Sequence, residues 1–436
     1  MTAEKTIVII GGGFAGTTLA RDLENRLPSS HRIVLISAES YTTFNPMLAE
    51  VVGASVFPEQ VVAPIRQMVK RTQFIMAKVT DVDVKQRIVH ADTLAGMREI
   101  AYEHLVFAFG MRANMALVPG MEEHALPLKL VGDAMAIRNR VLQRIARIEL
   151  ETDSELRQRL GHFIVIGGGF SGVEVAGELA DFIHSARRYY PLVHEHELRV
   201  TILQDADRLL LELPEALGLT AAQSMSKRGI AVRLKARAAK VDENGVTLAS
   251  SDVIPGATVI CTIGSKPTAL VERLAVPTQR GRIETEPDMS VRGVPQAWAI
   301  GDCALVKNAA NDQFSPPTAQ FAVAQAQQLA MNIAQQIMAQ PTHQFSYESK
   351  GMMATIGHMN GVAQVYGVRL SGIPAWLLWR AFYLARMPTW GRKIRIWVEW
   401  TWSMFFKADI THLRFTRTNE VEEKTAQEPV RQVAHR

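Results

Sequence analysis

The sequence predicts an α/β fold with two similar domains, each built on a parallel β-sheet, followed by a helical C-terminal region. Residues 6–23 and 162–179 share one pattern, in which a short apolar run enters a glycine-rich turn and a helical segment follows. In each copy a second apolar run comes next, ending at Ser37 in the first copy and at Gln204 in the second. A buried strand, a glycine turn, a helix and a second strand form a βαβ unit, so the repeat predicts two such domains.

The domain boundaries follow from the order of the remaining segments in a chain of 436 residues, which is more than one hydrophobic core usually serves. Residues 102–110 and 259–265 each read as a strand running into glycine, and we expect the chain to cross between domains there. A strand at 297–302 precedes a helical run at 316–338, which indicates that the first domain is discontinuous. We predict one domain from residues 1–120 and 290–340, a second from 121–289, a C-terminal region at 341–417 and a polar tail at 418–436.

Composition and charge exclude several classes of protein. The formal net charge of +5 favours anionic partners of any kind and does not choose among them. Cys261 and Cys303 are the only cysteines, which excludes a disulfide framework and a cysteine-rich zinc site and fits a reducing compartment. We predict no metal site. The apolar run near the N-terminus is too short for a signal peptide, and Arg380 and Arg386 interrupt the most apolar segment, so no transmembrane helix is predicted.

Both repeats carry the spacing Gly-x-Gly-x-x-Gly, at Gly11, Gly13 and Gly16 in the first copy and at Gly167, Gly169 and Gly172 in the second. In this motif the first glycine permits a tight turn, the second lets backbone approach a pyrophosphate, and the third lets the helix pack closely on the strand. The helix N-terminus then offers unpaired N–H groups to the phosphates. One such motif is common for conformational reasons, whereas two copies in this setting predict two Rossmann-like dinucleotide-binding domains.

Two dinucleotide sites in one chain predict FAD and NAD(P)H, because that pairing passes a hydride from nicotinamide to flavin. An acidic residue usually closes the second strand and hydrogen-bonds the adenosine ribose. Ser37 stands there in the first unit, with Glu39 two residues on. Gln204 stands there in the second unit, followed by Asp205, with Arg208 close by. We favour NADH because Asp205 keeps some negative charge, and NADPH stays open because Gln204 is neutral.

A series of segments resembles, in order, the type II NADH:quinone oxidoreductases, from about residue 5 to about residue 415. These segments are IGGGFAG, SYTTFNPMLAEVVG, YEHLVFAFG, GGGFSGVEVAGELAD, AIGDCA, PPTAQFAVAQAQQLAMNI, MMATIGHMNGVA and the Trp-rich C-terminal stretch. The resemblance implies a non-pumping respiratory flavoprotein of glutathione-reductase-like architecture, with FAD in the first domain and NADH in the second, that reduces a membrane quinone. PPTAQ and the aromatic C-terminus are the motifs most specific to this family. AIGDCA is less specific, since it is shared by most flavoprotein reductases of this architecture.

The resemblance also implies which residues bind the two cofactors. For FAD it implies Gly11, Gly13, Phe14, Ala15, Gly16, Ser37, Glu39, Phe44, Asn45, Pro46, Val79, Ala108, Gly110, Asp302, Ala319 and Gln320. For NADH it implies Gly167, Gly169, Phe170, Ser171, Gly172, Glu174, Gln204 and Gly264. Asp302 has an alternative role as the N-cap of the following helical segment.

Glu174 and Gln320 are the residues for which the resemblance implies a catalytic role. Glu174 would lie beside the nicotinamide and supply a proton route to the quinone, with His358 a weaker candidate; its alternative is a charge in the first helical turn, favoured by the helix dipole. Gln320 would face the quinone headgroup, and its alternative is a solvated helix. The family has a further glutamine one turn later, where this chain has Ala324, and Gln325 is displaced by about 100° around the helix. One amide donor therefore remains where two are expected.

The cysteines and the C-terminus separate this family from its neighbours. Disulfide reductases and sulfide:quinone oxidoreductases need a cysteine pair at the flavin, whereas Cys261 and Cys303 read as small buried residues. A soluble reductase of a ferredoxin-like carrier and a redox-sensing interaction module share both glycine motifs, and both alternatives stay open. A nucleic-acid binder is disfavoured because the basic residues alternate with indoles on a helix.

Six of the seven tryptophans lie within residues 376–402, among several basic residues. Read as a helix, this stretch has an apolar stripe of Ile394, Trp397, Val398, Thr401 and Phe405, opposite a polar stripe of Arg392, Arg395, Glu399 and Ser403. Indoles prefer the headgroup boundary of a bilayer, and nearby arginine and lysine attract anionic lipid.

We therefore predict that Trp376 to Phe406 forms a monotopic anchor on the cytoplasmic face of the inner or plasma membrane, with Arg380 and Arg386 snorkelling toward the headgroups. Such an anchor would bring a quinone dissolved in the bilayer to the flavin. The alternatives are an aromatic interface between two copies in a homodimer and a packed core helix. Deleting the chain after Gly372 is expected to free the protein from the membrane.

Overall fold

The computed structural model describes residues 5–406 and 408–413 of the chain, and the predicted polar tail at 418–436 lies outside the described residues. Within the described ranges the α-helices are α1 (Phe14–Arg26), α2 (Leu48–Val52), α3 (Ile65–Met68), α4 (Met121–His124), α5 (Val131–Leu150), α6 (Ser154–Leu160), α7 (Phe170–Arg187), α8 (Glu215–Lys227), α9 (Ala319–Ile337), α10 (Ile373–Arg386) and α11 (Trp390–Phe405).

The β-strands form two large sheets and several small ones. The strands up to residue 113 are β1 (Thr6–Ile10), β2 (Arg32–Ser37), β3 (Tyr41–Thr43), β4 (Val62–Pro64), β5 (Gln73–Asp83), β6 (Ile88–Thr93), β7 (Gly96–Ala101), β8 (His104–Phe107) and β9 (Arg112–Ala113). The later strands are β10 (Ala125–Pro127), β11 (His162–Ile166), β12 (Arg199–Leu203), β13 (Ile230–Arg233), β14 (Ala238–Asp242), β15 (Gly245–Leu248), β16 (Val253–Pro255), β17 (Thr258–Cys261), β18 (Ser265–Lys266), β19 (Thr278–Gln279), β20 (Arg282–Glu284), β21 (Ala297–Ala299), β22 (Ala304–Leu305), β23 (Lys307–Asn308), β24 (Gln313–Phe314), β25 (Gly351–Thr355), β26 (Gly361–Val365) and β27 (Val368–Ser371).

The first large sheet has seven strands in the order β21-β8-β1-β2-β5-β6-β7. The first five run parallel, whereas β6 and β7 extend the sheet in antiparallel fashion. Every residue of β1 is buried, as expected for a parallel strand with both faces covered. Because β21 pairs with β8, the chain returns to the first sheet after it has built the second.

The second large sheet has five parallel strands in the order β10-β17-β11-β12-β13. Its central strand β11 is wholly buried and leads through the second glycine turn into α7, as β1 leads through the first into α1. The orders β8-β1-β2 and β17-β11-β12 are equivalent. The two predicted βαβ units, and with them the α/β fold class, are therefore confirmed.

A small antiparallel pair joins the segments at which the chain was expected to cross between domains. β9 follows β8, β18 follows β17, and the two pair through Ala113 with Ser265 and Arg112 with Lys266. The pairing holds the two glycine-containing exits of the large sheets next to each other. It thereby brings the carboxyl ends of both sheets toward one region.

The C-terminal region begins with the three-stranded antiparallel sheet of β25, β26 and β27, followed by α10 and α11. The predicted C-terminal helices are present, and three short strands with glycine turns precede them. In the described part of the chain, no helix combines the length and the apolar character needed to cross a bilayer.

Three C-terminal tryptophans belong to the core. Trp376, Trp379 and Trp400 are only 2%, 1% and 3% exposed. The Arg380 guanidinium lies 3.7 Å from the ring centroid of Trp376 and donates to the carbonyl oxygen of Trp400 at 3.2 Å. The prediction that Arg380 snorkels is wrong, because its face of α10 packs against α11 and the protein body. For these three indoles the packed-helix alternative is correct.

The other face of α11 points away from the protein. Its exposed large apolar side chains are Trp390, Ile394, Trp397, Val398, Trp402 and Phe405. Two members of the polar stripe contact the protein instead: a carboxylate oxygen of Glu399 accepts a hydrogen bond from the Phe57 N–H at 3.0 Å, and Arg392 donates to the carbonyl oxygen of Glu59. We call these six large apolar side chains the apolar face of α11.

Candidate functional site

A cavity of about 1610 Å³ reaches both glycine turns at the carboxyl ends of the parallel strands. Ligands of open α/β sheets bind at this edge. The residues predicted from the sequence that line it are Gly11, Gly13, Phe14, Ala15, Ser37, Glu39, Phe44, Asn45, Pro46, Val79, Ala108, Gly110, Asp302, Ala319 and Gln320, together with Gly169, Phe170, Ser171, Gly172 and Glu174. Four predicted residues do not line it: Gly16, Gly167, Gln204 and Gly264.

In the first glycine turn, two glycines are required for close packing of the backbone, and the third leaves open space. A Cβ on Gly11 would lie 2.3 Å from the carbonyl oxygen of Ala108, and a Cβ on Gly16 would lie 1.9 Å from that of Gly11. Gly16 is therefore needed for close contact between α1 and the turn. A Cβ on Gly13 would meet nothing within 4 Å, so its missing side chain leaves space for a ligand at the N-terminus of α1.

The glycines of the second turn have the same roles. Gly167 has a φ of +114°, and a Cβ on Gly172 would lie 1.8 Å from the Gly167 carbonyl oxygen, whereas a Cβ on Gly169 would meet nothing within 4 Å. Neither α1 nor α7 has a side-chain hydrogen bond capping its N-terminus. Their first N–H groups thus face the cavity side without a side-chain acceptor, which is the arrangement a bound phosphate requires.

Gln204 holds the second turn together. Its Oε1 accepts a hydrogen bond from the Gly168 N–H at 2.9 Å, and the side chain is buried. The guanidinium of Arg208 donates to the carbonyl oxygens of Leu210, Leu211 and Leu213 within its own loop. Both side chains therefore form hydrogen bonds with backbone groups of the protein.

Asp302 lies on the cavity wall in a tight turn after β21. Its Oδ2 is 3.8 Å from Nζ of Lys129, which also lines the cavity. The alternative role of Asp302 as N-cap of the next helix is wrong, because Thr318 occupies the cap position of α9. The turn itself depends on Gly301, whose φ is +73° and whose N–H donates to Oε1 of Gln325 at 2.7 Å.

Replacing Gln325 with leucine is expected to lower the free energy of unfolding by about 1–3 kcal/mol. Gln325 is 2% exposed, so leucine would fill similar space but leave the buried Gly301 N–H without its acceptor. Equilibrium denaturation in urea measures the effect. The same change at Gln336, exposed on the same helix, is the control and is expected to stay within about 0.5 kcal/mol of the parent. Equal losses in both variants would contradict this account.

Gln320 lines the cavity at the start of α9. Its Nε2 donates to the Tyr347 hydroxyl oxygen at 2.7 Å, and its Oε1 accepts from the Ser349 hydroxyl at 3.3 Å. Ala324 also lines the cavity, while Gln325 points into the core. Gln327 of α9 also lines the cavity, so the expectation of a single amide at this wall is not confirmed. The solvated-helix alternative is wrong for this face of α9.

Glu174 is buried although it lines the cavity, with 6% of its surface exposed. Its Oε1 accepts from the Trp379 indole N–H at 3.2 Å and from the Thr355 N–H at 3.4 Å. Burial, above all, and the nearby carboxylates raise the pKa of Glu174 well above its usual value. The alternative of a charge in the first helical turn is wrong, because α7 begins at Phe170 and Glu174 lies beyond its first turn.

The two cysteines are small buried residues, as predicted. The Cys303 thiol donates to the carbonyl oxygen of Ile300 at 3.3 Å, and burial raises the pKa of this thiol to about 12. The Cys261 thiol lies in the second sheet and donates to the carbonyl oxygen of Ile263. Neither is a reactive thiolate. In the described part of the chain no cluster of side chains could hold a metal ion.

An aromatic wall links the first glycine turn to α10. The rings of Phe14 and Phe44 are 5.3 Å apart, and those of Phe44 and Tyr383 are 5.8 Å apart. Phe382, Tyr383 and Arg386 at the end of α10, and Met387 and Pro388 just after it, also line the cavity. Sequence reasoning missed Tyr347, Tyr383 and Lys129, since each reaches the cavity through a contact distant in the chain.

Comparison with known proteins supports the resemblance drawn from the motifs. The sequence profile of the pyridine nucleotide-disulphide oxidoreductase family matches residues 5–326. The chain is 29% identical to a type II NADH:quinone oxidoreductase of Mycobacterium tuberculosis over 91% of this chain and 87% of that protein. It is 28% identical to a demethylphylloquinone reductase of Synechocystis over 91% and 96%. It is also similar to the structure of NDH2 from Plasmodium falciparum in complex with NADH, with a TM-score of 0.85 at 19% identity over 94% and 100% of the two chains. The predicted resemblance is confirmed.

Proposed function

The chain belongs to the pyridine nucleotide-disulphide oxidoreductase family, and from this premise we propose that it transfers a hydride from NADH to FAD and then electrons to a quinone, without pumping protons. The observation that carries the proposal is that two phosphate-type glycine turns open onto one cavity. Bound FAD would supply the two-electron carrier between nicotinamide and quinone. Relatives named NADH:quinone oxidoreductase and demethylphylloquinone reductase support quinone as the acceptor.

The first turn would hold the FAD pyrophosphate and the second the NADH pyrophosphate. Gly13 and Gly169 each leave open space at a helix N-terminus, which fits a phosphate approaching the backbone. Arg208 donates to three carbonyl oxygens, and Gln204 accepts from the Gly168 N–H. With these contacts in place, neither side chain binds the 2′-phosphate of NADPH. This favours NADH over NADPH.

The acceptor end would lie at the wall formed by Gln320, Ala324 and the end of α10. Gln320 would orient a quinone carbonyl through its amide, and Tyr347 holds that amide in place. Glu174 lies at the same cavity, and its burial raises its pKa, which favours the protonated form that can donate to a quinone oxygen. A cysteine-based acceptor is excluded because both thiols are buried and inert.

We further propose that the apolar face of α11 rests on the cytoplasmic face of a membrane. A helix that exposes Trp390, Trp397 and Trp402 beside Lys393 has the composition of an interfacial helix. The end of α10 lines the cavity, so a quinone could pass from lipid to the Gln320 wall beside these helices. An aromatic contact between two copies is the alternative occupant of this face.

Anaerobic stopped-flow on the vesicle-bound protein tests the function. NADH is expected to bleach the flavin, and a short-chain quinone added next is expected to restore its colour, at rates of about 1 to 10³ per second. Flavin that is bleached but not restored by quinone would point to another acceptor, such as a ferredoxin-like carrier. Protein that retains no flavin would contradict the proposal.

A further inference from the structure

Three carboxylic acids are buried together behind the cavity wall. Glu50 of α2 is 2% exposed, Glu174 of α7 is 6% exposed and Glu178, one turn further along α7, is 5% exposed. Each accepts a hydrogen bond from a different side chain: Glu50 from the Trp400 indole, Glu174 from the Trp379 indole and Glu178 from the Ser55 hydroxyl. Buried carboxyl groups are costly, so three in one place call for an explanation.

One arginine faces these groups, and it does not neutralise them. In the described part of the chain no cationic side chain lies within 4.0 Å of the three carboxylates, and Arg380 donates to the Trp400 carbonyl oxygen. Burial, more than mutual repulsion, raises the pKa of Glu50 to about 7 and that of Glu178 to about 8. The cluster therefore holds protons at neutral pH.

The cluster continues to the surface along α7. Glu174, Glu178 and Asp181 follow one another at spacings of four and three residues, so they lie on one face of the helix. The Asp181 side chain is 35% exposed and pairs with Arg228, and its Oδ2 accepts from the N–H of the exposed His358 at 2.7 Å. The series of acids thus begins at solvent and ends at the cavity.

Quinone reduction requires protons that this series of acids can carry, and the inference rests on the function proposed above. NADH delivers two electrons and one proton equivalent as hydride, whereas the quinol product carries two protons, so one proton must come from solvent in each turnover. If Glu174 gives its proton to a quinone oxygen, it must be reprotonated. Glu174 is enclosed by Trp379 and the β25 strand, so bulk water at that side chain is restricted.

We propose that Glu178 relays protons from solvent at the Asp181 end of α7 to Glu174 at the cavity, with Glu50 as a second proton holder beside it. Glu178 passes one proton to Glu174 and regains one from solvent, so the net change is one solvent proton taken up per quinol formed. The charged and titratable groups that face Glu178 are Glu50 from α2, Arg380 from α10, and Glu174 and Asp181 from α7. Glu178 acts through Glu174 and does not touch substrate.

The test compares Glu178→Gln with the parent as complete, flavin-loaded protein on vesicles. Glutamine has the same shape and can still accept from Ser55, but it carries no exchangeable acid proton. We expect NADH to bleach the flavin at the parent rate, since hydride transfer needs no solvent proton. We expect reoxidation by a short-chain quinone to be at least about tenfold slower. Reoxidation by ferricyanide, which accepts electrons without protons, is expected to be unchanged.

The pH dependence of quinone reduction distinguishes a proton relay from a purely structural role of Glu178. In the parent, quinone reduction should fall as the pH rises past about 8, because Glu178 and its neighbours lose their protons there. Glu178→Gln should be slow at all pH values without that step, and Glu178→Asp, which restores an acid, should recover part of the rate and of the step. Glu215→Gln on the exposed surface of α8 removes the same charge and should match the parent.

The outcomes separate the relay from the function on which it rests. A parent protein whose reduced flavin is not reoxidised by quinone overturns the proposed function and the relay with it. If the parent reduces quinone and Glu178→Gln does so at the same rate at every pH, only the relay is overturned. Equal slowing with quinone and with ferricyanide also overturns it, because the residue would then support only the structure.

Discussion

Replacing Gly169 with valine is expected to leave the flavin bound but to abolish its bleaching by NADH. A Cβ at this position meets nothing within 4 Å, so the variant should fold, while the valine methyl groups would fill the space at the N-terminus of α7 where we place the NADH pyrophosphate. Losing two or three charge-assisted hydrogen bonds costs about 4 kcal/mol, or about 1,000-fold in kcat/KM for NADH. Anaerobic stopped-flow that follows the flavin absorbance over about a thousandfold range of NADH concentration measures this change in kcat/KM.

Two matched variants complete this experiment. Gly13→Val occupies the equivalent open position in the first turn and is expected to give colourless protein. Gly132→Val, in the first turn of α5, also meets nothing within 4 Å and lies outside the cavity, so it should keep both activities. A Gly169→Val protein that is bleached at the parent rate would show that the second turn is not the NADH site. One that lacks flavin would show that the two turns are assigned the wrong way round.

The glycine turns could be predicted from sequence because their determinants are local. A buried strand such as β1 or β11 is a continuous apolar run, and the glycines that follow are needed for contacts within a few residues, as Gly16 with Gly11 and Gly172 with Gly167 illustrate. The return of the chain at β21 was also predictable, since its apolar run ends in the glycine turn before Asp302. Local pattern and tertiary structure agree at these points.

The C-terminal helices could be predicted only in part, because a periodic pattern does not say what each face meets. Trp379 and Trp400 look like membrane indoles in the sequence, yet they donate hydrogen bonds to Glu174 and Glu50, which lie hundreds of residues away along the chain. Such contacts leave no local signal. A usable sign was present in α7, where Glu174 and Glu178 interrupt an apolar helix at a spacing of four residues.

The same contacts change how the membrane proposal must be tested. Deleting the chain after Gly372 would remove Trp376, Trp379 and Trp400 from the core and leave the carboxyl groups of Glu174 and Glu50 without their indole donors. Loss of membrane binding in that variant would not separate a missing anchor from a damaged fold. Substitutions confined to the apolar face of α11 avoid this difficulty.

The triple variant Ile394→Glu, Trp397→Glu and Phe405→Glu is expected to bind vesicles at least about 1,000-fold more weakly than the parent. The three side chains are 61%, 57% and 76% exposed, so their loss disturbs little packing. Each large apolar side chain that enters lipid contributes about 1.5–3 kcal/mol, and the three new carboxylates are repelled by anionic headgroups. Sedimentation with vesicles containing phosphatidylglycerol measures the partition, and bleaching by NADH should remain at the parent rate.

A matched control must carry the same added charge at apolar positions elsewhere. Leu94, Leu150 and Leu192 are 88%, 86% and 61% exposed and lie outside α10 and α11. Their triple replacement with glutamate should leave vesicle binding within a few-fold of the parent, because only the general charge effect remains. If both triple variants lose binding equally, attraction by net charge explains the partition. If the α11 variant instead keeps full vesicle binding but changes from dimer to monomer, this face joins two copies of the chain and does not contact lipid.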